Sequence, residues 1–285
     1  MKDSLLDNKS KSEILKAVKI KDYLTVIKIL EKHKTGHACT AKMKDKRFVI
    51  KEIISRILQN PETSAREFYE TGKYFINRHE DNSKELGVSL IWRGYIFDRK
   101  NIVKLMLKIA DDKNWEVREY AAGAFAEIIQ HHEDFFKTAM KLLKHKSENV
   151  RRAVLFSALG LVKRNDLEKA FLLLDPLLKD NSAYVKKNLG PFILGSYILR
   201  KFTAETMSKL KQWSKADNVN VKWNVIMSFK NAFGMNNPYL AFQILKRFKM
   251  ENDPRLKRAI KSVLNFLSKK HKRDVSRFKF ENGFD

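Results

Sequence analysis

The chain is poor in the residues that build cross-linked, loop-rich or membrane-spanning proteins. Its single cysteine, Cys39, excludes an intrachain disulfide framework and a cysteine-based zinc site, and favours a reducing cytosol. No run of about 18 apolar residues is present, so no segment is predicted to span a membrane. The charged stretch 1–7 predicts no signal peptide. The 10 glycines and 5 prolines are few helix breakers for 285 residues.

Several catalytic motifs are missing as well. The sequence contains no phosphate-binding loop, dinucleotide fingerprint, H-E-x-x-H or G-x-S-x-G pattern, which gives no support to kinase, nucleotide-hydrolase, zinc-protease or α/β-hydrolase functions. The stretch His131-His132-Glu133-Asp134 has metal-ligating residue types. Adjacent residues of a helix point in different directions, and no second cluster accompanies it. We therefore predict no metal site and no cofactor.

Acidic residues are scarce relative to basic ones. Lys and Arg number 58 against 33 Asp and Glu, giving a net charge of +25. Such an excess disfavours cationic ligands and favours polyanions, namely nucleic acid, an anionic membrane surface or an acidic protein. The helices are not strongly amphipathic in isolation, so the membrane surface ranks last of these three.

Apolar residues at helical spacing, interrupted by short polar breaks, predict an all-α protein. The breaks, at 111–114, 146–149, 180–182 and 251–254, contain Asp, Ser or Asn suited to helix starts. After the breaks an apolar residue is followed by a basic one, at spacings of 33, 35, 36 and 35: Val117-Arg118, Val150-Arg151, Val185-Lys186, Val221-Lys222 and Leu256-Lys257. This period accommodates a pair of helices, the unit of an α-solenoid.

The repeat predicts one solenoid over residues 1–268, with N-terminal capping helices in 1–60 and a basic tail, read as a frayed end, in 269–285. Aligned repeats give two rows of equivalent positions. The first row holds Arg118, Arg151, Lys186, Lys222 and Lys257. The second row holds Glu119, Arg152, Lys187, Trp223 and Arg258.

Two interpretations of the rows stay open. Rows of cations match a phosphate backbone, but a basic residue after a valine can instead bridge to an acid of the neighbouring repeat. For the second row we favour phosphate binding, because too few acids are present to pair every cation.

Glu119 interrupts a basic row, and Trp115 lies four residues before it, so both project from one helix face. A carboxylate beside an aromatic ring can stabilise a developing positive charge. The alternatives are that Trp115 and Trp223 belong to the core and that Glu119 pairs with Arg118 or Arg152. Trp92 is expected in the core, with lining of the groove as its alternative.

Four segments resemble one known family: Asp112-Lys113-Asn114-Trp115-Glu116-Val117-Arg118-Glu119-Tyr120-Ala121, Glu148-Asn149-Val150-Arg151-Arg152-Ala153, Tyr184-Val185-Lys186-Lys187-Asn188-Leu189-Gly190-Pro191-Phe192 and Val221-Lys222-Trp223-Asn224-Val225. They look like the HEAT-like bacterial alkylpurine DNA glycosylases, the AlkD and AlkC superfamily, over roughly residues 68–267. The resemblance implies a right-handed α–α superhelix of HEAT-like repeats that holds double-stranded alkylated DNA in its groove. It also implies metal-free hydrolysis of the N-glycosidic bond of N3- or N7-alkylated purines.

The resemblance further implies roles for individual residues. Glu119 would stabilise charge or orient water, and Trp115 would contact the lesion nucleotide. Nucleic-acid contacts would come from Arg118, Arg151, Arg152, Lys186, Lys187, Lys222 and Trp223. The best-known branch has Asp where Glu119 stands, and its second aromatic residue falls on Pro191, for which Trp223 or Phe192 could substitute.

Two other functions remain as alternatives: a catalytically silent HEAT-like module that binds nucleic acid, and a scaffold for an acidic protein. We expect a monomer without a membrane partner. Its expected location is the bacterial cytoplasm, associated with the nucleoid when bound to DNA.

Overall fold

The structure is a computed structural model and describes residues 4–35 and 38–284. Helices dominate this part of the chain, and its only β-type pairing is an isolated bridge between Lys34 and Ala41. The prediction of an all-α fold is therefore confirmed. No helix in the described ranges is both long and apolar enough to cross a membrane. Two compact units divide the chain, the N-terminal unit ending at Phe135 and the C-terminal unit beginning at Phe136.

The N-terminal unit is a stack of helix pairs. Its helices are α1 (Asn8–Lys19), α2 (Tyr23–Lys32), α3 (Met43–Ile57), α4 (Ser64–Ile76), α5 (Asp81–Ile91), α6 (Arg99–Ala110) and α7 (Trp115–His131). Helices α3, α5 and α7 pack side by side in one layer, while α4 and α6 lie in a second layer against them. The pair α4–α5 is very close, since a Cβ added to Gly72 would lie 2.5 Å from the Cβ of Ile91. This layer of α3, α5 and α7 carries the candidate site.

The C-terminal unit repeats the same plan. Its helices are α8 (Phe135–Leu142, beginning at the unit boundary), α9 (Glu148–Leu155), α10 (Ser157–Lys163), α11 (Leu167–Leu178), α12 (Ala183–Asn188), α13 (Leu199–Lys201), α14 (Thr203–Trp213), α15 (Val219–Met227), α16 (Ala232–Asn236), α17 (Pro238–Leu245), α18 (Pro254–Ser268) and α19 (Lys272–Asn282). A π-helix, Leu189–Ile198, joins α12 to α13. Helices α9, α12, α15 and α18 follow one another in one layer, with the π-helix packed between α12 and α15.

Helix starts lie where the polar breaks predict them. Asn114 begins α7 by accepting a hydrogen bond from the N–H of Glu116, and Ser182 accepts bonds from the N–H groups of Tyr184 and Val185. These side chains satisfy backbone donors that have no partner within the helix. The apolar anchors of the repeat, Val117, Val150, Val185, Val221 and Leu256, are all buried, so the repeat reflects the packing of successive helices into a core.

The C-terminal segment differs from the frayed tail expected in 269–285. Residues Lys272–Asn282 form α19, which packs on α18. Val275 and Phe278 are buried, and the Phe278 ring stacks on that of Phe242 at 4.5 Å. Burial of these apolar side chains holds the basic helix in place. The sequence reading missed this apolar face because most residues of the segment are charged or polar.

Candidate nucleic-acid interface

A cleft in the N-terminal unit brings Glu119 together with aromatic and basic side chains. It lies over α3, α5 and α7 and has a volume of about 460 Å³. We call it the Glu119 cleft. Its charged and aromatic lining comes from Arg47, Trp92, Arg93, Glu119, Tyr120 and Glu127. Gly123 also lines it, and a Cβ added there would meet nothing within 4 Å, so the space above this turn of α7 is open.

Helix α7 presents Trp115, Glu119, Gly123 and Glu127 on one face, because successive members are four residues apart. The Trp115 side chain is 42% exposed, and Glu119 is partly buried. Trp115 lies one turn before Glu119 and is not among the residues that line the cleft. The shared helix face expected from the sequence is thus present, but the tryptophan in the cleft itself is Trp92.

Trp92 lines the Glu119 cleft and contacts two other side chains. The guanidinium of Arg93 lies 4.2 Å from its ring centroid, and the imidazole of His131 stacks at 5.4 Å with an interplanar angle of 15°. Arg93 also donates a hydrogen bond to the carbonyl of Ser89. Burial lowers the pKa of Arg93, against the opposing attraction of Glu127. Trp92 is thus partly buried and lines this cleft, where the sequence favoured a place in the core.

A buried polar cluster lies beneath the cleft. The ammonium of Lys46 is fully buried and donates to Thr40 Oγ1 at 3.1 Å, to Glu116 Oε1 at 3.1 Å and, at closer range, to Glu85 Oε2. Its Nζ also lies 5.0 Å from the ring centroid of Tyr120, which lines the cleft above. One ammonium therefore serves two carboxylates, and Tyr120 connects this cluster to the cleft.

Burial decides the protonation of the cluster. It raises the pKa of Glu85 to about 8, although Lys46 pulls that pKa downward. Burial and the carboxylates of Glu85 and Glu116 also raise the pKa of Tyr120. Within the described residues, Glu85 Oε1 and the Tyr120 hydroxyl have no hydrogen-bond partner. A charged carboxylate is costly to bury, so burial favours the protonated form of Glu85.

The first basic row makes contacts between neighbouring repeats of the C-terminal unit. Arg151 binds Asp180 through two hydrogen bonds of 2.6 and 3.1 Å, and Lys222 lies 2.7 Å from Glu251. Lys186 donates to Asn220 at 3.2 Å. Although burial acts to raise it, the pKa of Asp180 is lowered by its bonds to Arg151. The contacts of Arg151 and Lys222 are the bridges to an acid of the neighbouring repeat that the sequence left as an alternative to phosphate binding, and we call these two contacts the ladder.

Arg118, the first-row member in the N-terminal unit, turns back onto its own helix start. Its Nη1 donates to the carbonyls of Asp112 at 2.7 Å and Lys113 at 3.1 Å. Arg151 makes the equivalent contacts with His145 and Lys146. In both repeats the arginine therefore fastens the turn that precedes its helix.

The second row is more varied. Arg152 is only 3% exposed, and its guanidinium lies 4.6 Å from the ring centroid of Phe156 and 5.0 Å from that of Tyr184. Lys187 is exposed. Trp223 lies beneath Lys186 Nζ at 5.9 Å. A second cleft, which we call the Trp223 cleft, has a volume of about 300 Å³ and is lined by Lys186, Trp223, Arg255 and Arg258. The second row thus contributes an aromatic surface with cations beside it.

Pro191 lies inside the π-helix, at the position where the resemblance implies an aromatic residue. The next residue, Phe192, is 37% exposed. Its ring lies 5.1 Å from that of Tyr197 and 5.8 Å from that of Phe156, forming an aromatic patch. Phe192 is therefore accessible outside the Trp223 cleft, whereas the ring of Trp223 lines that cleft.

Residues 103–190 match the family model of HEAT repeats, from α6 to the start of the π-helix. No curated protein matches the chain. In residues 4–35 and 38–284, no group of three or more His, Cys, Asp or Glu is arranged to hold a metal ion. The match and the helical pairs agree on a HEAT-like helical repeat protein.

Proposed function

We propose that this HEAT-like protein binds duplex DNA and hydrolyses the N-glycosidic bond of N3- or N7-alkylated purines. The supporting observation is the Glu119 cleft, which a carboxylate and the indole of Trp92 line together in a chain of net charge +25. Its volume of about 460 Å³ lies within the usual range of small-ligand sites.

The chemistry asks little of the protein. An alkylated purine carries a positive charge and leaves with the electron pair of its bond to C1′. Positive charge then develops on the sugar, where Glu119 would stabilise it by Coulomb attraction. Water adds its oxygen to C1′ and gives up a proton, for which Glu119 is the acceptor in this proposal. Trp92 and Tyr120 would offer aromatic surfaces to the cationic base. Trp115, on the same face of α7 as Glu119, would offer a third.

Phosphate binding, in this proposal, comes mainly from cations outside the ladder. Lys187 is exposed, and Arg47 and Arg93 line the Glu119 cleft. The Trp223 cleft adds Lys186 and an aromatic face. The ladder residues Arg151 and Lys222, together with Arg118 at its own helix start and the buried Arg152, would add positive potential while holding the helices that present these groups.

The decisive experiment is incubation with methylated duplex DNA followed by analysis of freed 7-methylguanine and 3-methyladenine. We expect Glu119→Gln to lower the excision rate by about 10²-fold or more, as loss of a charge-stabilising group does. Glu127→Gln is the matched control, since it removes a carboxylate from the same helix face and the same cleft. We expect it to change the rate by less than about tenfold. Wild-type excision by Glu119→Gln would refute the assignment.

A second function is favoured by two departures from the family pattern, Pro191 in place of an aromatic residue and Glu119 in place of Asp. It is nucleic-acid binding without excision. A protein with this function would free no base from methylated DNA. Its affinity for DNA would still fall steeply with salt, and a plot of the logarithm of the binding constant against that of the salt concentration would have a slope of about −0.9 per phosphate contact. Weak binding with little salt dependence would instead support a scaffold for an acidic protein.

A further inference from the structure

A cavity near the C-terminal end of the chain combines an apolar floor with a cationic rim. It lies between α18, α19 and the short turn Lys246–Phe248, and has a volume of about 300 Å³. Phe248, Ile260 and Leu264 contribute largely buried apolar side chains. We call it the α18–α19 cavity. It contains none of the residues that line the Glu119 cleft.

A glycine turn builds one wall. Gly283 has a φ of 67°, a left-handed conformation that glycine adopts without strain. The turn lets the N–H of Phe284 donate to the carbonyl of Lys279 at 3.1 Å. The Phe284 ring then stacks on that of Phe278 at 5.5 Å, so a flat aromatic side chain borders the cavity.

Five cations surround this apolar floor: Lys249, Lys257, Arg258, Lys261 and Lys279. Within residues 4–35 and 38–284, none of the five has a side-chain hydrogen bond or ion pair. The acid lining the cavity, Glu251, is already bound by Lys222 at 2.7 Å, which lowers its pKa. The rim therefore carries uncompensated positive charge over a hydrophobic surface, an arrangement suited to an anion with a flat apolar body.

We propose that the α18–α19 cavity binds a nucleotide unit, with the base against Phe284 and the apolar floor and the phosphates at the cationic rim. The volume lies at the lower end of the range of about 300 to 1,000 Å³ for small-molecule sites, which suits one such unit. The nucleotide is either free or the 5′-phosphorylated end of a strand, because both present the same chemistry. This proposal does not depend on glycosylase activity.

Calorimetric titration of the full chain with ATP, inorganic triphosphate and a 5′-phosphorylated dinucleotide tests it. The double charge reversal Lys257→Glu/Lys261→Glu should weaken ATP binding by about tenfold or more. The matched control, Lys141→Glu/Lys144→Glu, changes net charge equally on exposed residues outside the cavity. It should leave the affinity within about twofold. Equal losses in both variants would overturn the proposal, as would failure of ATP and the dinucleotide to bind.

Phe284→Ala separates base recognition from simple anion binding. It removes an aromatic wall at the end of the chain and should weaken ATP and the dinucleotide by about fivefold or more while leaving inorganic triphosphate unchanged. Equal binding of triphosphate and ATP, with no effect of Phe284→Ala, would overturn the nucleotide assignment. Tighter binding of the dinucleotide than of ATP would support a strand end, and the reverse order a free nucleotide.

Discussion

Replacing Glu85 with glutamine tests whether the buried cluster beneath the Glu119 cleft carries one negative charge or two. Lys46 faces two carboxylates, and Glu85 is the fully buried one. Its pKa is raised to about 8, mainly by burial, so we expect it to be protonated at pH 7. Glutamine has nearly the same size and no charge. The variant should therefore fold normally, be about as stable as the wild type near pH 4.5, and be more stable than the wild type at pH 7.

The magnitude follows from linkage between protonation and folding. The pKa of Glu85 rises from its ordinary 4.5 in the unfolded chain to about 8 in the folded one. The folded chain therefore binds this proton more tightly. Its contribution to stability is complete below pH 4.5 and is lost as the pH rises through 8. The loss is at most about 1.4 kcal/mol per pH unit, with an upper limit of about 5 kcal/mol in total.

Urea unfolding at pH 5, 6, 7 and 8 measures this effect. The free energy of unfolding of the wild type should fall more steeply with pH than that of Glu85→Gln, which has nothing to titrate at this position. Glu62→Gln, a change at an exposed glutamate, is the control and should keep the wild-type slope. Parallel curves for wild type and Glu85→Gln would refute a protonated Glu85. So would a large loss of stability at pH 7, since an ion pair with Lys46 would then have been broken.

Substitutions at three further places test the packing around the sites. Gly123→Ala should raise the free energy of unfolding by about 0.5–1 kcal/mol, because alanine favours the helix and its Cβ enters open space; Gly123→Phe should instead block the cleft and reduce base excision without weakening DNA binding. A double-mutant cycle on Arg151 and Asp180 should give a coupling energy of about 1–3 kcal/mol in urea unfolding, whereas a value near zero would contradict the ladder. Gly195→Ala should lower the free energy of unfolding by about 3 kcal/mol or more, because its Cβ would lie 2.0 Å from the carbonyl oxygen of Ser228. An unchanged free energy of unfolding would show that the π-helix is not packed so closely.

The repeat was predictable because packing imposes it on the sequence. Val117 and Val150 are buried at equivalent positions, and the polar residues before them cap the helices. The same alignment assigned Arg151 to a row but could not choose its partner. That partner, Asp180, lies in the next repeat at a distance fixed by how the helices stack.

The cleft was predictable only in part. A spacing of four residues placed Glu119 with Trp115 on one face of α7. Trp92 belongs to another helix pair, so no repeat spacing in the sequence relates it to Glu119. The buried ammonium of Lys46 was missed for a similar reason. Lysine is almost always exposed unless it is paired, and its partners Glu85 and Glu116 are 39 and 70 residues away.

The charge around the cleft differs from that of the chain. Four charged side chains line it, two basic (Arg47 and Arg93) and two acidic (Glu119 and Glu127). The cluster below adds no net charge at neutral pH if Glu85 is protonated, because Lys46 and Glu116 then balance each other. A net charge of +25 would attract DNA to the protein as a whole, whereas a locally balanced cleft would repel a cationic base far less than a plain phosphate site does. Neutralising Glu119 would leave the arginines in excess, and Glu127→Gln shares this effect. A larger loss of excision in Glu119→Gln than in Glu127→Gln would therefore measure what the position of Glu119 contributes beyond the net charge of the cleft.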